Sequence, residues 1–450
     1  MITVGLGTFM ATLDASIVNV SLPTIMHSLH TKLAVVEWVV SIYLLVITGL
    51  LLSLGRLADL IGRKPVYIAG FVVFTIGSVL CGLSGGIYLL IAFRGLQAVG
   101  AAMIMANGPA IVTHAFPGSE RGKAMGMVGM IVASGLTVGP ALGGLLIGKW
   151  GWPVIFFINL PIGIIGIWSA QVILRPEARN DGQTFDIPGA AMLLVSLLSL
   201  TLGLSQGPET GWESPLILGL FASSVVFGIA FIKRERSIPH PVLDLSLFRN
   251  RLFAAASAST FINHVATFSI MFLMPFYLSG VLRYGPERMG LTLTAIPITV
   301  VLVAPLSGSM SDKIGSRALG SIGLGIASIG LLMCSMLGAH PTRAHVIAAL
   351  AVVGFGTAVF QSPNSSSIMG SVSKSMLGVA AGMMATMRNL GMITGVALSG
   401  AIYTSRLNIY SHMTSSLAAS VHAYRDAFTV AAAVCALGIL TSAAKGSARE

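Results

Sequence analysis

Fourteen stretches of this chain stay apolar for roughly 18 residues or more, the length a helix needs to cross the hydrocarbon of a bilayer. The first covers 3–25 and the last 426–443, and most of the chain between them is either another such stretch or a short connection. Inside a bilayer every backbone N–H and C=O must be satisfied by protein, so runs of this length are read as α-helices. Only 9% of the residues are charged, against roughly a quarter in soluble domains, and that excludes a water-covered globule. The expected fold class is an all-α polytopic membrane protein with 14 transmembrane helices. The first run has neither a basic leader nor a small-residue cleavage site, so it is read as a retained helix and not a signal peptide.

An even number of spans puts both ends on one side. With the N-terminus inside, the inner connections hold 17 Lys and Arg and the outer ones 7, while Arg94 and Arg388 fall within spans. Basic residues collect on the cytoplasmic side of membranes, so both termini are expected there. The net charge of +11 is thus a topology signal, and no nucleic-acid partner is expected. Cys81, Cys334 and Cys435 lie far apart inside apolar runs. They are read as small core hydrophobes, and neither a metal nor a cofactor is expected.

The chain repeats itself. "GRLADLIGRK" follows the second span and "GSMSDKIGSR" the tenth; Gly55, Asp59 and Gly62 of the first stand 253 residues before Gly308, Asp312 and Gly315 of the second. Pro23 precedes Pro275 by 252 residues, and Gly135 and Gly139 precede Gly391 and Gly395 by 256. Three landmarks in order point to a duplicated bundle, the architecture of secondary transporters. The expected division is an N-terminal six-helix bundle (1–175), two inserted helices (176–233), a cytoplasmic linker (234–251) and a C-terminal six-helix bundle (252–450). "VLDLSLF" in the linker is amphipathic and is read either as lying on the membrane surface or as plain solvated chain.

A few polar residues stand where polarity is costly. Asp14 sits inside the first apolar run, and a charge at that depth needs a partner or a task. Arg94 lies in the fourth span, with Gln97 three residues on and on the same face. Both Asp14 and Arg94 fall in the outer half of their spans, so they are natural partners. A carboxyl beside an arginine either alternates between paired and protonated states, as proton coupling needs, or forms a fixed ion pair. In the fifth span Gly135, Gly139 and Gly143 make a smooth ridge for close helix packing, and Pro140 bends it. The glycines of the loop motif permit a tight turn. Asp59 suits a helix N-terminus, and Arg56, Arg63 and Lys64 supply countercharges. The loop is either a gate or a static turn. Asn263 and His264 are expected to face a cavity; His264 either titrates there or is a hydrogen-bonded structural histidine. Gln361 and Asn364 suit a cavity wall. Arg388 has no acidic partner at its depth, so backbone carbonyls or a substrate anion would serve it. Glu37 is expected to be solvated at an outer helix end.

"LDASIVNVSLP", "GRLADLIGRK", "RGLQAVGAA", "GLTVGPALGG" and "WGWPVIFFINLPIG" together resemble signature stretches of the fourteen-spanner drug–proton antiporters of the major facilitator superfamily. "FDIPGA" and "PVLDLSLF" extend the resemblance through the chain. It implies that Asp14 and Arg94 belong to the proton-coupling and substrate region and that the glycine–proline motif marks an exporter. The second loop copy departs from the first, with Ser309 where Arg56 would match. The expected function is proton-coupled export of amphiphilic drug-like molecules across a bacterial cytoplasmic membrane by alternating access. The partners are then a small-molecule substrate, protons and the lipid bilayer, and no stretch identifies a periplasmic adaptor. An exporter of one endogenous lipid or metabolite is the first alternative, and a non-transporting membrane sensor or assembly partner the second. No G-x-x-x-x-G-K-[ST] phosphate loop and no nucleophile–base pair are present, so no enzyme activity is expected.

Overall fold

The computed structural model describes residues 1–116, 120–174, 186–238, 245–372 and 376–444, and the side chains of Arg56, Asp59 and Asp312 are outside the described set. The described residues are mostly helical, with no strand among them. They form two compact units, one of Met1–Ser199 and Ala222–Leu243, the other of Leu200–Phe221 and Asp244–Glu450.

In unit 1 the order is α1 (Ile2–Ser28), α2 (Leu33–Val36), α3 (Trp38–Ile61), α4 (Arg63–Gly82), α5 (Ile87–Ala115), α6 (Arg121–Trp150), α7 (Val154–Phe157) and α8 (Asn159–Ile173). The hairpin α9 (Ile187–Thr210) and α10 (Pro215–Glu235) follows and contributes residues to both units. Unit 2 continues with the 3-10 helix η1 (Leu245–Arg249), then α11 (Arg251–Gly280), α12 (Pro286–Leu293), α13 (Ala295–Ile314), α14 (Ser316–Ser335), α15 (Arg343–Gly370), α16 (Leu377–Ser411) and α17 (Ser416–Ala443). Thirteen helical segments among the described residues are long and apolar enough to span a bilayer. The 35-residue α16, which carries Arg388 and Arg406, makes the fourteenth long segment. Of the linker, η1 is helical and residues 239–244 lie outside the described residues.

The duplication is visible in the turns. Gly62 ends α3 with φ 99° and Gly315 ends α13 with φ 91°. An L side chain disfavours that left-handed region and glycine does not, so each half passes from one span to the next through a single residue. These are the last glycines of the two loop motifs. The same duplication recurs in packing: a side chain at Gly100 of α5 would strike the backbone of Gly70 and Phe74 on α4, and one at Gly356 of α15 would strike that of Gly323 and Ala327 on α14. The helix starts differ. Asn250 caps α11 by accepting from the N–H groups of Leu252 (2.9 Å) and Phe253 (3.3 Å), which satisfies donors the first turn leaves free.

Large apolar side chains fill each unit, among them Tyr67, Phe71, Phe74 and Phe156 in unit 1 and Phe253, Phe272, Phe360 and Phe428 in unit 2. The outward faces are apolar too. Leu216, Leu218, Val225, Val226 and Ile229 of α10 and Ile164, Trp168 and Val172 of α8 are all exposed. Helices apolar on the outside are stable only against hydrocarbon, and that is the environment the sequence demands.

Candidate functional site

Asp14 and Arg94 meet in the interior of unit 1. Asp14 is 0% exposed and Arg94 1%, and Arg94 Nη1 lies 2.6 Å from Asp14 Oδ2. The same nitrogen donates to Gln97 Oε1 at 2.7 Å, and Gln97 Nε2 donates to Asp14 Oδ1 at 2.9 Å. The three-residue spacing of Arg94 and Gln97 on α5 puts both on the face that meets α1, as the helical repeat requires. Arg94 Nε donates to the Val39 carbonyl of α3 at 3.1 Å, and its guanidinium stacks 4.1 Å from the Tyr43 ring centroid. Stacking and a carbonyl bond suit guanidinium, whose planar face is weakly hydrated and whose donors are fixed.

One partner of Asp14 was not singled out from sequence. Asn159, the first residue of α8, donates to Asp14 Oδ1 at 3.0 Å and to Ser78 Oγ of α4 at 3.0 Å. Ser78 in turn donates to the Phe156 carbonyl at 2.7 Å. The close approach of α4 and α5 depends on Gly77, where a Cβ would fall 2.7 Å from Gln97 N and Cα. Asn159 lies inside one of the quoted signature stretches, "FINLPIG", and a polar amide in an apolar run is the signal that marks it. The carboxylate thus accepts from three side chains on two helices besides its own, within one interior polar cluster. A buried ion pair persists only when such extra bonds satisfy the remaining lone pairs.

The other expected residues sort as follows. Gly135, Gly139 and Gly143 of α6 face α1: side chains there would strike Thr12 and Leu13, Ser16 and Ile17, and Ile17 respectively. Ser16 Oγ donates across this contact to the Gly135 carbonyl at 3.1 Å, and Pro140 lies within α6. Unit 2 carries the equivalent contact between α16 and α11. Gly391 faces the Phe261 carbonyl and His264, Gly395 faces Val265, and Ser269 Oγ donates to the Gly395 carbonyl at 3.1 Å. Gly55 and Gly62 belong to the end of α3, and Arg63 opens α4. The loop countercharge Lys64 is spent on the Gln171 carbonyl at 2.7 Å. The proposed electrostatics of Arg56, Asp59 and Asp312 fall outside the described side chains.

In unit 2, Asn364 of α15 donates to the Thr260 hydroxyl at 2.8 Å and the Ala256 carbonyl at 3.1 Å. His264 Nδ1 lies 2.8 Å from the Thr260 carbonyl, to which it donates; that bond is the one a structural histidine makes. Asn263 is 1% exposed, and neither of its amide atoms has a partner among the described residues. Gln361 is exposed, one turn from the buried Asn364. Arg388 is partly buried and forms no hydrogen bond or ion pair among the described residues. One expectation fails outright: Glu37 is 1% exposed, because it occupies the break between α2 and α3 rather than a solvated end. The three cysteines are free and buried, as expected of core hydrophobes.

The family model for the Major Facilitator Superfamily matches residues 4–244 and 256–445. The riboflavin transporter RibZ of Clostridioides difficile (strain 630) is 35% identical over 98% of this chain and 95% of its own. The multidrug resistance protein Stp of Mycobacterium tuberculosis (strain ATCC 25618 / H37Rv) is 34% identical over 91% of this chain and 76% of its own. Among solved structures the POT family transporter PepTSo superposes with a TM-score of 0.69 at 15% identity, over 98% of this chain and 97% of that one, a likeness of fold alone. The helical architecture, the duplicated glycine turns and these matches agree: the chain is a transporter rather than an enzyme, and it belongs to the major facilitator superfamily.

Proposed function

We propose that the protein is a proton-driven antiporter that exports amphiphilic small molecules across the bacterial cytoplasmic membrane, with both termini inside. The observation that carries this reading is Asp14, a carboxylate buried at membrane depth and held by Arg94, Gln97 and Asn159. All three donors need its lone pairs. A proton on either oxygen removes the charge that binds Arg94 and turns an acceptor into a donor. The ties from α1 to α5 and α8 then weaken together. That is a local charge event biasing a two-state element, the form such switches take. Substrate exchange for a proton at this site gives antiport, and alternating access follows if the loosened and tightened forms of unit 1 favour opposite openings. The glycine ridges on α6 and α16 support the reading, since close, smooth helix contacts allow a change of tilt without repacking large side chains.

A narrower reading, export of one endogenous metabolite, is favoured by the similarity to a riboflavin transporter along nearly the full length of both chains. One experiment separates the readings. In proteoliposomes with an imposed pH gradient, a panel of unrelated amphiphilic dyes and riboflavin itself are followed for uphill movement. Gradient-dependent movement of several dyes is expected. Movement of riboflavin alone selects the narrower reading. Asp14→Asn, which preserves size and most hydrogen bonds, should abolish the gradient-driven component while passive binding remains. Undiminished gradient-driven flux in a well-folded Asp14→Asn protein would exclude the coupling role.

A further inference from the structure

The two units each hold one arginine deep within a helix, and their surroundings are opposite. Arg94 is fully engaged by a carboxylate, a carbonyl, an amide and an aromatic face. Arg388 has none of these. It stands 11 residues into the 35-residue α16, about 17 Å from the start of that helix at 1.5 Å per residue. Its Nε is buried without a partner, and it makes no ion pair among the described residues. The described acidic side chains of unit 2 are elsewhere. Asp426, on α17, is taken by Arg406, Arg425 and Tyr410; Glu287 opens α12, and Glu209 and Glu213 lie at the turn between α9 and α10. Arg388 does not lie at the C-terminal carbonyls of its own helix, because α16 continues to Ser411.

One turn on from Arg388, Gly391 brings α16 against the Phe261 carbonyl and His264 Cβ of α11. His264 already uses Nδ1 on Thr260, and Thr260 already holds Asn364. The Asn364 amide nitrogen and the His264 Nδ1 are thus committed to α11, while a guanidinium with five N–H donors and no acceptor remains. Asn263, 1% exposed on the neighbouring turn of α11, adds an amide with both polar atoms unpartnered. A charge within a membrane span without a counter-ion carries a large penalty, and among the described residues none pairs with Arg388.

We propose that Arg388 is the recognition residue for the negatively charged group of the transported molecule, so that the preferred substrates are amphiphilic monoanions bearing a carboxylate. A guanidinium pairs with a carboxylate through two parallel N–H bonds, which fixes orientation as well as charge. The two units then divide the work: Asp14 and Arg94 neutralise each other in unit 1 and answer to the proton, while Arg388 answers to the cargo. This assignment rests on the transport reading above for its biological sense, but its test does not depend on transport.

The test uses dansylglycine, a carboxylate, and dansylglycinamide, its neutral amide, with the full chain in detergent micelles. Binding is read from dansyl fluorescence and from competition between the two. The parent protein should bind dansylglycine roughly tenfold or more tightly than the amide, the size expected for a hydrogen-bonded charge pair. Arg388→Gln should bind the two equally, and Arg388→Lys should keep part of the preference. Because Arg388 has no partner to strand, neither variant is expected to lose thermal stability. Equal binding of the pair by the parent protein, or binding of neither, overturns the assignment, as does an undiminished preference in Arg388→Gln. Proteoliposomes form the second arm. Carboxylate binding that is lost in Arg388→Gln, without gradient-driven movement of any dye in the parent, would sink the antiport reading and leave this site standing.

Discussion

Asp14 accepts from Arg94, Gln97 and Asn159 at once, and that saturation decides what happens when one partner goes. Removing Arg94 leaves a buried carboxylate with amide donors only. Breaking a buried pair in this way typically costs about 3–5 kcal/mol, because the remaining charge is uncompensated. Arg94→Ala is therefore expected to lower the unfolding temperature of the purified protein strongly. Adding Asp14→Asn to Arg94→Ala should recover much of the loss, since the stranded charge is then gone. Unfolding of the two singles and the double in one detergent checks this, and additive losses would mean that the two residues do not act as a pair. The pair itself was legible in the sequence, because two opposite charges inside apolar runs, at matching depth, have few other places to go. Asn159 was not. An asparagine at a helix start has many uses, and its meeting with Asp14 depends on how α8 lies against α1, which no local pattern encodes. Glu37 was misread for a related reason. Charges at helix ends usually reach water, and the break that turns Glu37 inward is a tertiary feature.

The helix pairs α1–α6 and α11–α16 are built from a smooth ridge on one helix and committed side chains on the other. At Gly139 the facing groups are Ser16 Cβ, 2.8 Å from where a Cβ would stand, and Ile17 N at 3.2 Å. Gly139→Leu would force the α1 and α6 backbones apart and break the bond from Ser16 to the Gly135 carbonyl. Overpacking of a tight contact costs about 1–3 kcal/mol, so the protein should still fold while the exchange between its states slows. Pairs of cysteines placed on the inner and outer faces report the population of each state by crosslinking. The expected result is a shift toward one crosslink with dye binding little changed, and unchanged populations would reduce the ridge to packing. The ridge could be read from glycine spacing alone, because i, i+4, i+8 residues share a face whatever the partner. Its partner could not. Similar geometry explains Gln361 and Asn364: a step of three residues turns a helix by 60° off the first position's direction, enough to leave Asn364 on α11 and Gln361 exposed.

At the scale of the whole chain the duplication was legible because its markers are backbone requirements. Gly62 and Gly315 both take positive φ, which few other residues tolerate, so the two copies keep glycine while their charged neighbours diverge. The divergence is where the halves acquire different electrostatics, and it bears on the charge of the cargo. Of the 15 acidic residues, Asp14 is the one in the middle of a predicted span, and its charge is already matched by Arg94. Glu37 is buried, but at the junction of α2 and α3. A rigid dication at mid-membrane depth needs two countercharges, and each one missing costs several kcal/mol. A monocation can be served by Asp14 when Arg94 is displaced, at the expense of that pair, and a monoanion meets Arg388 directly. The expected order of gradient-driven export is therefore monoanion, then monocation, then rigid dication, with the dication roughly tenfold or more behind the monocation. Matched dyes of one scaffold carrying one or two quaternary ammonium groups, and one carrying a carboxylate, are to be compared in proteoliposomes at a fixed pH gradient and a clamped membrane potential. The clamp matters because charge moved against a potential would otherwise bias the order. Dication export equal to or faster than monocation export would mean that a second carboxylate, Glu37 being the nearest in sequence to the Asp14 site, takes part in binding.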